Sequence, residues 1–191
     1  FGTDFKKGVE LAVEQMNSSL SAAGSNVQFA TASADTEGSP DGAAKAVQTI
    51  VQTSGAKVIV GPLTTGEVLG AKQFADENQV VIVAPASSAP SASIPGDYIF
   101  RVMYPPDTNA AKAFAQIATA REYKNLVVLQ VDDPFGNGLV ESFSANFKTD
   151  GEVSVTKYAK DVADLSGEAT KISGEITRLS ADLAALNLST G

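Results

Sequence analysis

The sequence predicts an α/β fold built from parallel sheets in two lobes, on three observations. Two short β-branched runs, Lys57-Val58-Ile59-Val60 and Val80-Val81-Ile82-Val83-Ala84, lie one helix apart, as strands buried on both faces of a parallel sheet do. Each run breaks into a hydroxyl-bearing turn, Gly61-Pro62-Leu63-Thr64-Thr65-Gly66-Glu67 and Pro85-Ala86-Ser87-Ser88-Ala89-Pro90. A further apolar strand pattern, Leu126-Val127-Val128-Leu129-Gln130-Val131, recurs beyond a Pro-Pro break at Tyr104-Pro105-Pro106.

Residues Asp4 to Ser19 place Phe5, Val9, Leu11, Ala12, Val13 and Met16 near one helical stripe. Asn26 to Ala34 alternates and reads as a strand ending in Asp35-Thr36-Glu37-Gly38-Ser39-Pro40. Asp41 to Ser54 is Ala/Val/Ile-periodic and reads as a helix closed by Gly55. Strand 57–61, helix 67–78 and strand 80–84 follow. This alternation with short connections implies a parallel sheet with right-handed crossovers. A Ser/Pro/Gly-rich loop leads to Asp97-Tyr98-Ile99-Phe100-Arg101-Val102.

The first lobe is therefore placed at 1–103 and the second at 104–191. In the second, a helix is expected over Thr108 to Ala120, capped near Asp107 or Thr108. Strand 126–131, a helix over Leu139 to Phe147 and a strand over Glu152 to Tyr158 follow. Leu165, Ala169, Ile172, Ile176, Leu179, Leu183 and Leu186 then fall at 4-3-4-3 spacing. Three repeats do not separate a coiled-coil seam from the ordinary stripe of a packed helix, and the packed helix is the simpler expectation.

Composition removes most chemistry. The chain has no histidine and no cysteine, so Ser-His-Asp and Cys-His mechanisms, thiolate metal sites and disulfides are excluded. A net charge of −8 without basic clusters argues against nucleic acid as a partner. No apolar run approaches the roughly 20 residues that span a bilayer. The start at Phe1-Gly2-Thr3-Asp4 without Met reads as a processed or partial polypeptide.

The candidate site is the pair of hydroxyl turns. Thr64-Thr65-Gly66-Glu67 fits a capping box, with Thr64 as N-cap and Glu67 at the third helical position. Ligands of open α/β sheets bind beyond the carboxyl ends of the strands, and unpaired N–H groups at a helix start favour an anion. Thr64, Thr65, Ser87 and Ser88 thus form a small polar socket. Gly136-Asn137-Gly138 lacks the third glycine of a dinucleotide fingerprint, since Glu141 stands there, and no phosphate loop occurs. Asp132-Asp133 reads as a turn or solvent-facing pair rather than a metal site. No cofactor, metal or catalytic residue is expected.

At this point the chain resembles the type I periplasmic solute-binding proteins, in the branched-chain amino acid (Leu/Ile/Val)-binding group of ABC transporters. The matching stretches are Phe5-Lys6-Lys7-Gly8-Val9-Glu10-Leu11-Ala12, Asp35-Thr36-Glu37-Gly38, Val60-Gly61-Pro62-Leu63-Thr64-Thr65-Gly66, Ala84-Pro85-Ala86-Ser87-Ser88, Asp97-Tyr98-Ile99-Phe100-Arg101 and Asp132-Asp133-Pro134-Phe135-Gly136-Asn137-Gly138. The resemblance implies two Rossmann-like lobes hinged about a ligand cleft, and a non-enzymatic receptor. That receptor would deliver a small carboxylate-bearing ligand, of branched-chain amino acid type, to a membrane permease. It further implies a periplasmic or extracellular location, with lipid anchoring as an option. A ligand-sensing domain of the same fold on a signalling protein is the alternative.

By the same resemblance, the Thr65 hydroxyl and N–H, the Ala86 carbonyl and Ser88 contact the ligand from the first lobe. Phe1 lies at the cleft mouth and Phe135 lies over the ligand from the second lobe. Amino-acid binders often carry Tyr at both positions. The family pattern also implies a first strand upstream of Phe1, residues missing near 181–183, and further second-lobe strands after Ser180. An acidic partner for the ammonium comes from the returning chain. Against that pattern the fold is incomplete.

Overall fold

In the computed structural model, residues 2–102, 107–148 and 150–189 are described, with side chains described as far as 182. The chain divides into two compact units, one of Phe1–Ser87 with Ile94–Met103, the other of Ser88–Ser93 with Tyr104–Gly191. The segment Ser88–Ser93 thus groups with the second unit. Phe1 and the Tyr104-Pro105-Pro106 crossing, both singled out in the sequence, lie outside the described residues.

The first unit carries α1 (Gly2–Ala22), α2 (Pro40–Ser54), β1 (Val58–Val60), α3 (Thr65–Asn78), β2 (Val81–Ala84) and β3 (Ile99–Arg101). Its three strands form one parallel sheet in the order β1-β2-β3, with Ile59 opposite Ile82 and Ile82 opposite Ile99. Local chemistry sets the helix ends. Ser39 caps α2 by accepting the Gly42 N–H at 3.0 Å, Pro40 occupies the first turn, and left-handed Gly55 closes it onto the Val51 carbonyl.

Period-two alternation sorts the sheet into two faces. Ile59, Ile82 and Ala84 are buried with Val47 of α2 and with Val68, Ala71 and Ala75 of α3. Burying a side chain such as Ile82 stabilises by about 1.5–3 kcal/mol. On the opposite face Val58, Val60, Phe100 and Val102 are each more than half exposed.

The expected strand over 26–34 does not form. These residues carry no regular secondary structure and pair with no strand among those described, and Val27 and Phe29 stay more than half exposed. Alternation prepares a segment for a sheet, but only a partner's N–H and C=O groups make the ladder. What holds the segment is Asn17 of α1, whose amide donates to the Phe29 carbonyl at 2.9 Å and accepts its N–H at 2.8 Å. Helix α1 itself buries no residue, so its apolar stripe leaves Leu11 and Met16 half exposed.

The second unit holds α4 (Asp107–Ala120), β4 (Leu126–Val131), α5 (Pro134–Asn146), β5 (Val153–Tyr158) and α6 (Ser166–Ser189). β4 and β5 pair in parallel along six residues, from Leu126 opposite Val153 to Val131 opposite Tyr158. A small core joins Ala115, Ala118 and Phe147, with Phe143 stacked on Phe147 at 5.3 Å between ring centroids. Of the stripe expected on α6, Leu179 is buried and Ile172 half-buried, while Leu165 and Ile176 stay exposed, so only part of the stripe is packed.

Helix α5 begins five residues earlier than expected. Asp133 accepts the Gly136 N–H at 2.8 Å and Pro134 supplies a preset φ, so the cap starts the helix ahead of its glycines. Gly136-Asn137-Gly138 is therefore helix, not a phosphate-facing loop. Similarly, Asp107 is the first residue of α4 rather than its cap.

Candidate functional site

The corner after β1 is shaped by its capping box. The Thr64 hydroxyl accepts the Glu67 N–H at 3.4 Å, and the Glu67 carboxylate accepts the Thr64 N–H at 2.9 Å and its hydroxyl at 2.6 Å. The first i→i−4 bond of α3 runs from the Val68 N–H to the Thr64 carbonyl at 3.0 Å. The N–H groups of Thr65 and Gly66 therefore precede the helical ladder, where a bound anion is stabilised by helix-end dipoles.

The second corner reaches the first through side chains. Ser87, 1% exposed, donates its hydroxyl to Oγ1 of Thr65, itself 2% exposed, at 3.1 Å. That bond makes Thr65 the acceptor, so its own hydroxyl proton is directed elsewhere. The Gly61 N–H continues the β1–β2 ladder to the Val83 carbonyl at 2.9 Å, which fixes the two turns side by side. Arg101, at the end of β3 and in register with Ala84, places a guanidinium N–H 3.5 Å from the Ser87 carbonyl.

The structure therefore brings together Thr64, Thr65 and Ser87 of the expected residues. Thr64 acts within the cap, where its hydroxyl and N–H both meet Glu67. Ala86 lies half-buried in the turn between β2 and Ser87. Ser88 follows Ser87 in sequence and belongs to the second unit, where its carbonyl accepts the Asp107 N–H at 3.4 Å. Phe135, 42% exposed, sits in the first turn of α5. Sequence reading does not single out Arg101 or Thr36. The first is legible only as a cation at a strand's carboxyl end, and the second contacts Glu67 from 31 residues away.

The carboxyl end of β4 carries a second polar group. Asn137 and Lys157 both donate to Asp132 at 3.1 Å and hold its carboxyl below the ordinary carboxylate range. Buried Gln130 donates to Asn137 Oδ1 at 2.6 Å. Asp133 is engaged in the α5 cap. Among the described residues no group of three or more acidic side chains is placed to hold a metal ion.

The chain matches known proteins along most of its length. Residues 1–180 match the periplasmic binding protein family. The chain belongs to that family. A Leu/Ile/Val-binding protein homolog from Brucella melitensis is 29% identical over 174 residues, 90% of this chain and 46% of its own length. The branched-chain amino acid binding protein LivJ of Streptococcus pneumoniae, solved with isoleucine, shares the fold with a TM-score of 0.73. It is 24% identical, and the match covers 91% of this chain and 49% of that one. Glutamate receptor 2.1 of Arabidopsis thaliana is 30% identical over 99 residues, 51% of this chain and 11% of its own. The chain spans 37–46% of the length of the first curated relatives it matches. Its fold is that of a type I periplasmic binding protein, covered in part. The family and the solved neighbour LivJ are solute-binding proteins rather than enzymes.

Proposed function

We propose that this periplasmic binding protein is the extracytoplasmic substrate-binding component of an ABC transporter, and that it takes a small carboxylate-bearing ligand, an amino acid of branched-chain type. The observation that carries the reading is the buried Ser87–Thr65 hydroxyl pair beside the N–H groups that open α3. A carboxylate laid there meets the Thr65 hydroxyl, the Thr65 and Gly66 N–H groups and the α3 dipole. The Ala86 carbonyl and Ser88 are assigned to the ligand's ammonium end. Phe135 and Phe1 are assigned to the ligand's apolar part. The isoleucine-bound LivJ structure and the Leu/Ile/Val-binding relative support the ligand class. Closure of two lobes on the ligand is then a population shift that a permease reads.

Calorimetry of the full-length protein against leucine, isoleucine, valine and their amides tests this. Tighter binding of the acids than of their amides is the expected result, and no binding by any amino acid removes the claim. A second reading, a ligand-sensing domain of the same fold on a signalling protein, draws on the match to the plant glutamate receptor. A permease that co-purifies with the ligand-loaded protein separates transport from sensing.

A further inference from the structure

We infer that the buried carboxylate of Glu67, held by Thr36, is the positioning residue that aims the ligand-binding corner. The inference rests on the proposed binding of a carboxylate beside Thr65. Glu67 is 3% exposed, and both of its oxygens are in use. Oε2 accepts the Thr64 N–H and hydroxyl, while Oε1 accepts the Thr36 hydroxyl. A capping box needs only the first set, so the bond to Thr36 ties the box to a distant loop.

That loop is rigidly seated. A Cβ added at Gly42 would lie 2.1 Å from the Thr36 carbonyl oxygen, so the loop backbone rests directly on the first turn of α2. Ser39, three residues after Thr36, caps the same turn and donates its own N–H to the Thr36 carbonyl at 3.1 Å. The start of α2 thus holds Thr36, Thr36 holds Glu67, and Glu67 holds Thr64. The peptide unit between Thr64 and Thr65 carries one of the N–H groups assigned to the ligand. With its carbonyl fixed by Val68 and its flank by Glu67, its direction is set before any ligand arrives.

The alternative role for Glu67 has the opposite sign. A buried negative charge near a bound carboxylate opposes binding, so if charge were what mattered, its removal would tighten binding. Positioning predicts loss when the side chain is removed and recovery when its shape and acceptor are kept. Glutamine keeps one oxygen as the acceptor for Thr64 and turns its amide toward the Thr36 hydroxyl, which can accept as well as donate.

The test measures Kd for L-leucine and L-leucinamide on full-length wild type, Glu67→Ala, Glu67→Gln and Thr36→Val, with Tm for each. Expected is a leucine Kd about ten-fold or more weaker for E67A, within about three-fold of wild type for E67Q, and between the two for T36V, with leucinamide nearly unchanged throughout. The leucine-over-leucinamide preference therefore falls in E67A and T36V. If E67A does not fold, T36V carries the same comparison with one hydroxyl removed. A lower Tm with the preference intact makes Glu67 a purely structural residue and overturns the inference, as does joint tightening in E67A and E67Q. Wild type that prefers leucinamide, or neither, instead overturns the carboxylate reading beneath it.

Discussion

Ser87 donates its hydroxyl proton to Oγ1 of Thr65 across 3.1 Å, and neither side chain is more than 2% exposed. The turns that follow β1 and β2, 22 residues apart, are thereby fastened at their polar tips rather than through apolar packing alone. A buried hydroxyl pair is stable only while both partners remain, so its stability and its chemistry are coupled.

Thr65→Val keeps the shape and removes the acceptor, which leaves the Ser87 hydroxyl buried without a partner. The expected cost is about 1–3 kcal/mol of stability, whereas Ser87→Ala costs about 0.5–1.5 kcal/mol. The double variant should be less destabilised than the sum, since removing both partners leaves no orphan. Urea titrations of the four proteins give the cycle, and strict additivity would contradict the coupling. Ligand affinity should fall most in Thr65→Val, because that hydroxyl is assigned to the carboxylate.

Gly70 marks the closest approach of α2 and α3. A Cβ there would lie 2.3 Å from the Pro40 carbonyl oxygen and 2.7 Å from Pro40 Cα, both backbone atoms that have no rotamer to escape into. In an exposed helix Gly→Ala stabilises by about 1 kcal/mol. Here overpacking outweighs propensity, and Gly70→Ala is expected to destabilise by about 1–3 kcal/mol. A raised Tm for this variant would show that the helices separate without cost.

The legible parts of the chain are those whose cause lies within a few residues. Thr64 and Glu67 stand three apart, and both halves of their box form. Val81–Ala84 is a strand because its β-branched run admits little else. The failures have a different origin. Residues 26–34 carry a strand's alternation, but a ladder depends on a partner that alternation cannot supply. The α5 start was obscured because Gly136 and Gly138 read as loop, although Asp133-Pro134 is the stronger local signal. The Thr36–Glu67 contact, 31 residues apart, and Arg101 beside Ser87 depend on tertiary placement, which no local pattern encodes.

Phe135 is assigned to the ligand rather than to the core. Its ring is 42% exposed on the first turn of α5, whose cap is made by Asp133. Phe135→Ser should therefore lower Tm by only a few degrees, about 2–6 °C, while weakening an aliphatic ligand about ten-fold, as loss of buried apolar area requires. An unchanged Kd on calorimetry would take Phe135 out of the site.

The ion group on α3 gives stability a defined pH dependence. Lys72 donates to Asp76 one turn on and lies 3.4 Å from Asp97, while the Tyr98 N–H donates to Asp76 at 3.0 Å. The group thereby ties α3 to the residues that lead into β3. Burial pushes the Asp76 carboxyl up, but the Lys72 ammonium and the Tyr98 N–H together outweigh it and leave it below its ordinary 3.8. The hydrogen bond to Asp76 raises Lys72 above its ordinary 10.5, against the opposing pull of burial. A lowered carboxyl contributes stability above its unfolded value, and that contribution fades as pH falls through the folded one. A raised ammonium contributes below its unfolded value and fades as pH rises through the folded one. The contribution of the pair is thus full between about pH 5 and 9 and shrinks on both sides. Asp76→Asn should lower Tm across that window, and the gap should close only at the acid end, as pH falls through the lowered folded value and both proteins come to carry a neutral side chain at this position. Thermal melts of the two proteins from pH 2 to 10 check this, and a gap that persists undiminished at the acid end would assign the stabilisation to hydrogen bonding alone.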